Sequence, residues 1–200
     1  MIRHGAIVVL LLLLAGCSPR VPFAPATARG QDPHATAPGD WRGRGRIEVA
    51  ALGRRFSAGC LVRGKAGAAR VVVLSDEGLV LADLEIGPAG LTVHRVAEAF
   101  QPRVAQLAGL IAPYARLPEA QRTWRRGVLR ATTAGDVRCY GGDPLLLRRI
   151  EGRGWPLTVS DYAAVAGGWV PRLVAADGPF GAELRLRLTE LGPLGAPPNR

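Results

Sequence analysis

The sequence predicts a mainly β (α+β) domain: a strongly curved antiparallel sheet with one main helix as its plug or lid. Three observations carry that expectation. Apolar residues alternate with polar or small ones over most of the chain from Trp41 onward, the period of strands with one buried and one wet face. Only one stretch, Phe100 to Ile111, changes clearly to helical spacing,. Nine or ten strands therefore present more apolar surface than one helix covers, and the sheet has to curl on itself. A curled sheet either fills its interior with side chains or leaves a ligand cavity, and both remain open from patterning.

In chain order, Ile47, Val49 and Ala51 alternate with Arg46, Glu48 and Ala50, then Phe56, Ala58, Cys60 and Val62 alternate with Ser57, Gly59, Leu61 and Arg63. Leu52-Gly53-Arg54-Arg55 between them makes a hairpin turn,. A third strand carries Val71 to Leu74 and ends at the turn Ser75-Asp76-Glu77-Gly78. In the fourth, Val80, Ala82, Leu84 and Ile86 share one face; Gly87-Pro88-Ala89-Gly90 breaks it, and Leu91 to Val96 gives the fifth. Five strands joined by short turns describe a meander.

Phe100, Val104, Leu107 and Ile111 then form one helical stripe, with Pro102 tolerated in the first turn and Pro113 stopping the run,. A shorter helical turn is expected from Pro118 to Trp124, and strands return at Val128 to Thr132, Val137 to Tyr140, Leu145 to Ile150 and Leu157 to Tyr162. The last clear strand is Ala182 to Glu190, with Leu184, Leu186 and Leu188 on one face. Opposing faces and stripe make Val80, Leu84, Phe100, Val104, Leu107, Ile111, Leu184 and Leu186 the expected wall and lid of an apolar cavity.

The chain's beginning carries an address. Arg3 and His4 precede an apolar run from Ala6 to Ala15, about half the length that a helix needs to cross a bilayer,. Leu13-Leu14-Ala15-Gly16-Cys17 resembles a bacterial lipobox. That resemblance implies a signal peptide over residues 1–16 and lipidation of Cys17, the new N-terminus. Residues 17–40, rich in Pro, Ala and Gly, read as a tether, with an end-to-end distance on the order of 25 to 30 Å. Ser18 stands where Asp marks inner-membrane retention in enterobacterial lipoproteins, so the resemblance points to the outer membrane, facing the periplasm. A single domain is expected over 41–191 and a loose tail over 192–200.

The full chain carries a formal net charge of +10. For an exported protein this suits anionic headgroups or simple solubility, and nucleic acid is not an expected partner. Cys60 and Cys139 remain once Cys17 is acylated. In an oxidising compartment they either form one disulfide or stay as separate buried thiols.

Catalytic chemistry finds little support. His34 lies in the tether, His94 reads as a half-exposed strand residue, Asp76 and Glu77 as solvated turn residues, and no GxSxG elbow occurs,. No cofactor, metal cluster or enzyme activity is expected. Trp41, Trp124, Trp155 and Trp169 are core residues or belong to a cavity mouth,. Arg125-Arg126 and Arg148-Arg149 are wet strand faces or headgroup contacts,.

Trp41-Arg42-Gly43-Arg44-Gly45, the apolar hairpin after it, the helix after the first sheet, and Trp169-Val170-Pro171-Arg172-Leu173-Val174 before Leu184-Arg185-Leu186-Arg187-Leu188 resemble the LolA/LolB-type superfamily of bacterial lipoprotein carriers and receptors. The resemblance implies a half-open β-barrel lidded by helix, a lipid or lipoprotein acyl chain as ligand, and an envelope protein as partner. LolA-type carriers lock their lid with an arginine, which the many arginines here leave unassigned. The other reading is a structural or assembly lipoprotein with a filled barrel that acts through protein contacts.

Overall fold

The computed structural model describes residues 31–195, residues 36, 134 and 153 excepted. Twelve strands lie among them: β1 (Trp41–Ala51), β2 (Arg54–Lys65), β3 (Ala68–Leu74), β4 (Val80–Gly87), β5 (Gly90–Val96), β6 (Gln121–Arg125), β7 (Val128–Thr132), β8 (Asp136–Gly141), β9 (Leu146–Gly152), β10 (Leu157–Val165), β11 (Gly168–Asp177) and β12 (Glu183–Pro193). The helix α1 (Val104–Ile111) follows a 3-10 segment, Glu98–Arg103, and leads into another, Ala112–Tyr114.

All twelve strands form one sheet in the order β5-β4-β3-β2-β1-β12-β11-β10-β9-β8-β7-β6. Two meanders, β1 to β5 and β6 to β12, are thus joined where the first strand meets the last. Along that seam Ile47 faces Leu186 and Val49 faces Leu184. The sheet is curved but not closed, because β5 and β6 remain as edges.

Turn chemistry explains why the strands double back so tightly. Four hairpins close over two residues, Leu52-Gly53, Ala66-Gly67, Arg126-Gly127 and Ala166-Gly167, with positive φ at both positions of each. That is the conformation of a type I′ turn, whose twist matches the flanking strands. The Arg126-Gly127 turn also explains a difference from expectation. Gln121–Arg125 pairs with Val128–Thr132 as a hairpin arm, not as the expected helical turn from Pro118 to Trp124. Gly168–Asp177, which has no clear alternation, is a strand as well, held between β10 and β12.

The inner face gathers Ile47, Cys60, Val71, Leu84, Val174 and Leu186 into one buried cluster with Leu107, Leu110 and Ile111 of α1. The helix therefore lies as a plug against the sheet's apolar side, and its burial of about three large side chains stabilises that packing by some 1.5–3 kcal/mol each. Opposite the end where the chain enters β1, the turns β1–β2, β3–β4 and β11–β12 carry the exposed Leu52, Leu79 and Phe180.

Candidate functional site

Two regions bear on function: the helix-covered inner face and a cavity beside the helix's C-terminal end. On the inner face, Leu84, Leu107, Ile111, Leu184 and Leu186 belong to the buried cluster, and Phe100 and Val104 pack against it. Val80 is half-buried at the start of β4. Sequence reasoning thus brings seven of its eight residues together, but as packed neighbours: Leu186 is 0% and Leu107 4% exposed. None of the eight lines the cavity described next.

That cavity, about 250 Å³, lies at the end of the sheet where the chain enters β1. Its origin is a local split in the sheet. Strands β9 and β10 pair at only two positions, Leu157 with Ile150 and Thr158 with Arg149. Past Thr158, Asp161 of β10 has a left-handed φ of 54° and drops out of the ladder with β11, whose register is unchanged on either side of it. A left-handed residue interrupts the extended backbone that ladder pairing requires. The Tyr162 hydroxyl then donates to the Leu147 carbonyl, so a side chain bridges the two strands where backbone bonds have stopped. Arg148 stacks 5.3 Å above the Tyr162 ring,. Leu146, Leu147 and Tyr162 face the resulting gap as part of the cavity wall.

Opposite them stands an aromatic pair. Trp41 and Tyr114 approach to 5.4 Å between ring centroids at 49°, and the indole lies so close to Gly64 that a Cβ there would fall 2.1 Å from Nε1. Only glycine leaves room for Trp41 to close this side. Trp169 also borders the cavity, whereas Trp124 and Trp155 pack against the core.

Arg138 of β8 is the charged residue that ties this region to the helix. Only 3% exposed, it donates from Nη1 to the Ala115 carbonyl at 2.9 Å and from Nη2 to the Ala112 carbonyl at 2.8 Å. Carbonyls at a helix C-terminus lack intrahelical donors and carry partial negative charge, which a cation satisfies. Arg138 therefore clasps the end of α1 to the sheet. Its Nε is buried without a hydrogen-bond partner, and so is the Tyr114 hydroxyl. Tyr114 is half-buried as a residue, but burial of the hydroxyl pushes its pKa well above the usual phenol value, with Cys60 and Tyr162 adding to the shift. An unsatisfied buried donor costs about 1–3 kcal/mol. Both residues line the cavity. From sequence, nothing singled out Arg138 among its many neighbours of the same type; its single signal is a charge at a position in β8 flanked by buried residues.

The chain segment before Trp41 closes the cavity mouth. Gly39 N–H donates to the Ala166 carbonyl at 2.9 Å, the Asp40 carboxylate accepts from Ala66 N–H at 3.1 Å, and Pro33 and Ala37 are among the lining residues. The His34 Nε2 lies 3.4 Å from Glu119 Oε1, and Arg122 bridges Glu119 and Asp32. The tether read as free up to residue 40 is thus docked from about Asp32, and His34, read as unheld, has a carboxylate partner.

Cys60 and Cys139 are buried free thiols, on β2 and β8. The disulfide alternative is not what the fold contains: five strands, β1, β12, β11, β10 and β9, lie between β2 and β8 in the sheet order. Burial pushes the Cys60 thiol up to about 12, slightly offset by a hydrogen bond from the Gly45 backbone. Cys17 and the lipobox lie outside the described residues.

No family model matches the sequence, and no curated protein matches it. Among solved structures, the chain is similar to a LolA superfamily protein from Nitrosomonas europaea, with TM-score 0.53 and 13% identity over 80% of this chain and 88% of that one. It is also similar to a DUF1329 family protein from Desulfovibrio piger, with TM-score 0.47 and 14% identity over 82% and 90% of the two chains. A third likeness, with TM-score 0.47 and 11% identity over 76% and 84%, is to a candidate outer membrane lipoprotein-sorting domain from Vibrio parahaemolyticus. The first of these likenesses, together with the strand order and the helix on the inner face, shows a LolA-like fold: a half-open antiparallel barrel with one helix against its apolar side.

Proposed function

We propose that this protein is a non-enzymatic lipoprotein, anchored through Cys17 at the outer membrane and facing the periplasm, that takes a lipid or lipoprotein acyl chain between α1 and the sheet. The observation that carries the reading is the construction of the cover. The helix presents Leu107, Leu110 and Ile111 to an apolar face, yet the turn at its C-terminal end is fastened by few hydrogen bonds, those of the Arg138 side chain to the Ala112 and Ala115 carbonyls and that of Arg116 N–H to the Gly67 carbonyl. A cover fastened in this way separates from the sheet without dismantling any strand pairing. The apolar face then offers an acyl chain the same burial that it offers the helix stripe.

A neutral fluorescent acyl ester tests this directly. Wild-type protein is expected to bind the ester. Leu107→Glu is expected to lose uptake, because a carboxylate placed under the helix opposes both docking and ligand. If the wild type binds no apolar probe and the variant merely unfolds, the assembly-lipoprotein reading replaces this one. That second reading has its own support in the close packing of Leu84, Ile111 and Leu186. Membrane fractionation of Cys17→Ala tests the anchor: uncleaved precursor is expected, and wild-type maturation would rule the anchor out.

A further inference from the structure

The cavity at the β9–β10 split is chemically unlike the inner face, and the carrier reading does not use it. Its wall combines the aromatic Trp41, Tyr162 and Trp169 with the aliphatic Leu146 and Leu147. Its charged residues are predominantly cationic: Lys65, Arg116 and Arg138 border it against the single carboxylate of Asp40, which already accepts from Ala66 N–H. Glu119, just beyond, is occupied by Arg122, His34 and the Tyr140 hydroxyl. Two of the lining residues carry buried donors without an acceptor, the Tyr114 hydroxyl and Arg138 Nε.

One donor belongs to the proposed cover and the other to the strand that fastens it. Tyr114 ends the 3-10 turn that continues α1, and Arg138 is the clasp on that turn. An apolar chain inserted under α1 would have its end beside these two groups. What they lack is an acceptor, and the surrounding charge selects an anionic one. Two single donors match the two oxygens of a carboxylate. A volume of about 250 Å³ falls below the roughly 300–1,000 Å³ of sites that enclose whole drug-sized ligands, and suits a headgroup.

We propose that this cavity is the headgroup site for the carboxylate of an amphiphile whose tail lies under α1, with the Tyr114 hydroxyl and Arg138 Nε–H as its donors. The proposal rests on the carrier reading. Lys65 and Arg116 add favourable charge, and the indoles of Trp41 and Trp169 wall the first methylenes.

Competition against the neutral fluorescent ester separates the two ideas. Dodecanoate, dodecanol and dodecyl phosphate are each titrated into wild-type protein and Tyr114→Phe. Dodecanoate is expected to displace the ester about tenfold more effectively than dodecanol, the scale of one hydrogen bond to a charged group. Tyr114→Phe is expected to shrink that preference to about twofold while leaving the melting temperature equal or higher, because the hydroxyl that it removes is unsatisfied in the folded protein. Equal displacement by acid and alcohol overturns the headgroup site and leaves the carrier reading standing. A preference that survives in Tyr114→Phe, or a melting temperature that falls with it, overturns the role of the hydroxyl. Stronger displacement by dodecyl phosphate than by dodecanoate overturns the carboxylate assignment. If the ester itself fails to bind, the carrier reading and the headgroup site fall together.

Discussion

Cys60 shows how a residue's surroundings set its chemistry. The thiolate is the form that reacts with alkylating agents, and a pKa raised to about 12 by burial leaves a thiolate fraction of about one in ten thousand at about pH 8. The Cys139 thiol is shifted upward by burial too. In native protein both are therefore expected to resist iodoacetamide at mildly alkaline pH, and in denaturant without reductant both are expected to label. Mass shifts count the labels; absence of labelling in denaturant would mean a bond. The sequence offered a disulfide and two buried thiols with equal logic, because a strand assignment places each Cys on a face but not across the sheet. Arg138 illustrates the same gap. Its sequence neighbours give it no role, and only the path of the chain after α1 puts two carbonyls within its reach.

At the scale of elements, the legible parts were those whose period is unambiguous. The alternation of Leu184, Leu186 and Leu188 and the stripe of Leu107 and Ile111 placed β12 and α1 correctly, and each of those side chains is buried. The segments that misled had mixed signals. Gln121–Arg125 contains three polar residues around Thr123 and Trp124, and it is a strand because the Arg126-Gly127 turn folds it onto β7. β11 begins at Gly168 and includes Pro171, which removes a donor from the ladder, and in the neighbouring β10 the left-handed Asp161 lies opposite that stretch. The cavity was invisible from sequence for the same reason, since it arises from pairing that stops. The helix itself provides a test of how it is held. Arg138→Lys keeps the charge but replaces a planar fork by a single point of contact, so one carbonyl loses its donor. A loss of about 1–3 kcal/mol is expected, read as a lower urea midpoint with the slope unchanged, together with faster uptake of the acyl ester.

The sheet depends on the β1–β12 seam, since among the described residues the two meanders share no other strand pairing. Gly45 lies in that seam beside a register shift at Arg44/Gly45, and a Cβ there would fall 2.0 Å from the Arg187 carbonyl oxygen. Gly45→Ala is therefore expected to push the two strands apart and to cost about 1–3 kcal/mol, with a single cooperative transition if the halves unfold together and two transitions if the seam alone opens. Calorimetry distinguishes these. The position of the seam also governs how the protein comes into being. A chain emerges from the ribosome N-terminus first, so β1 to β5 can form their hairpins early through local contacts, while the inner edge of β1 waits for residues 183–193. Contacts of such long sequence separation form late, and until then the emerging chain carries an unpaired strand edge of the kind that chaperones shield. Completion of the sheet thus reports completion of the chain through β12: the last strand to arrive is the one that turns two half-sheets into a single sheet.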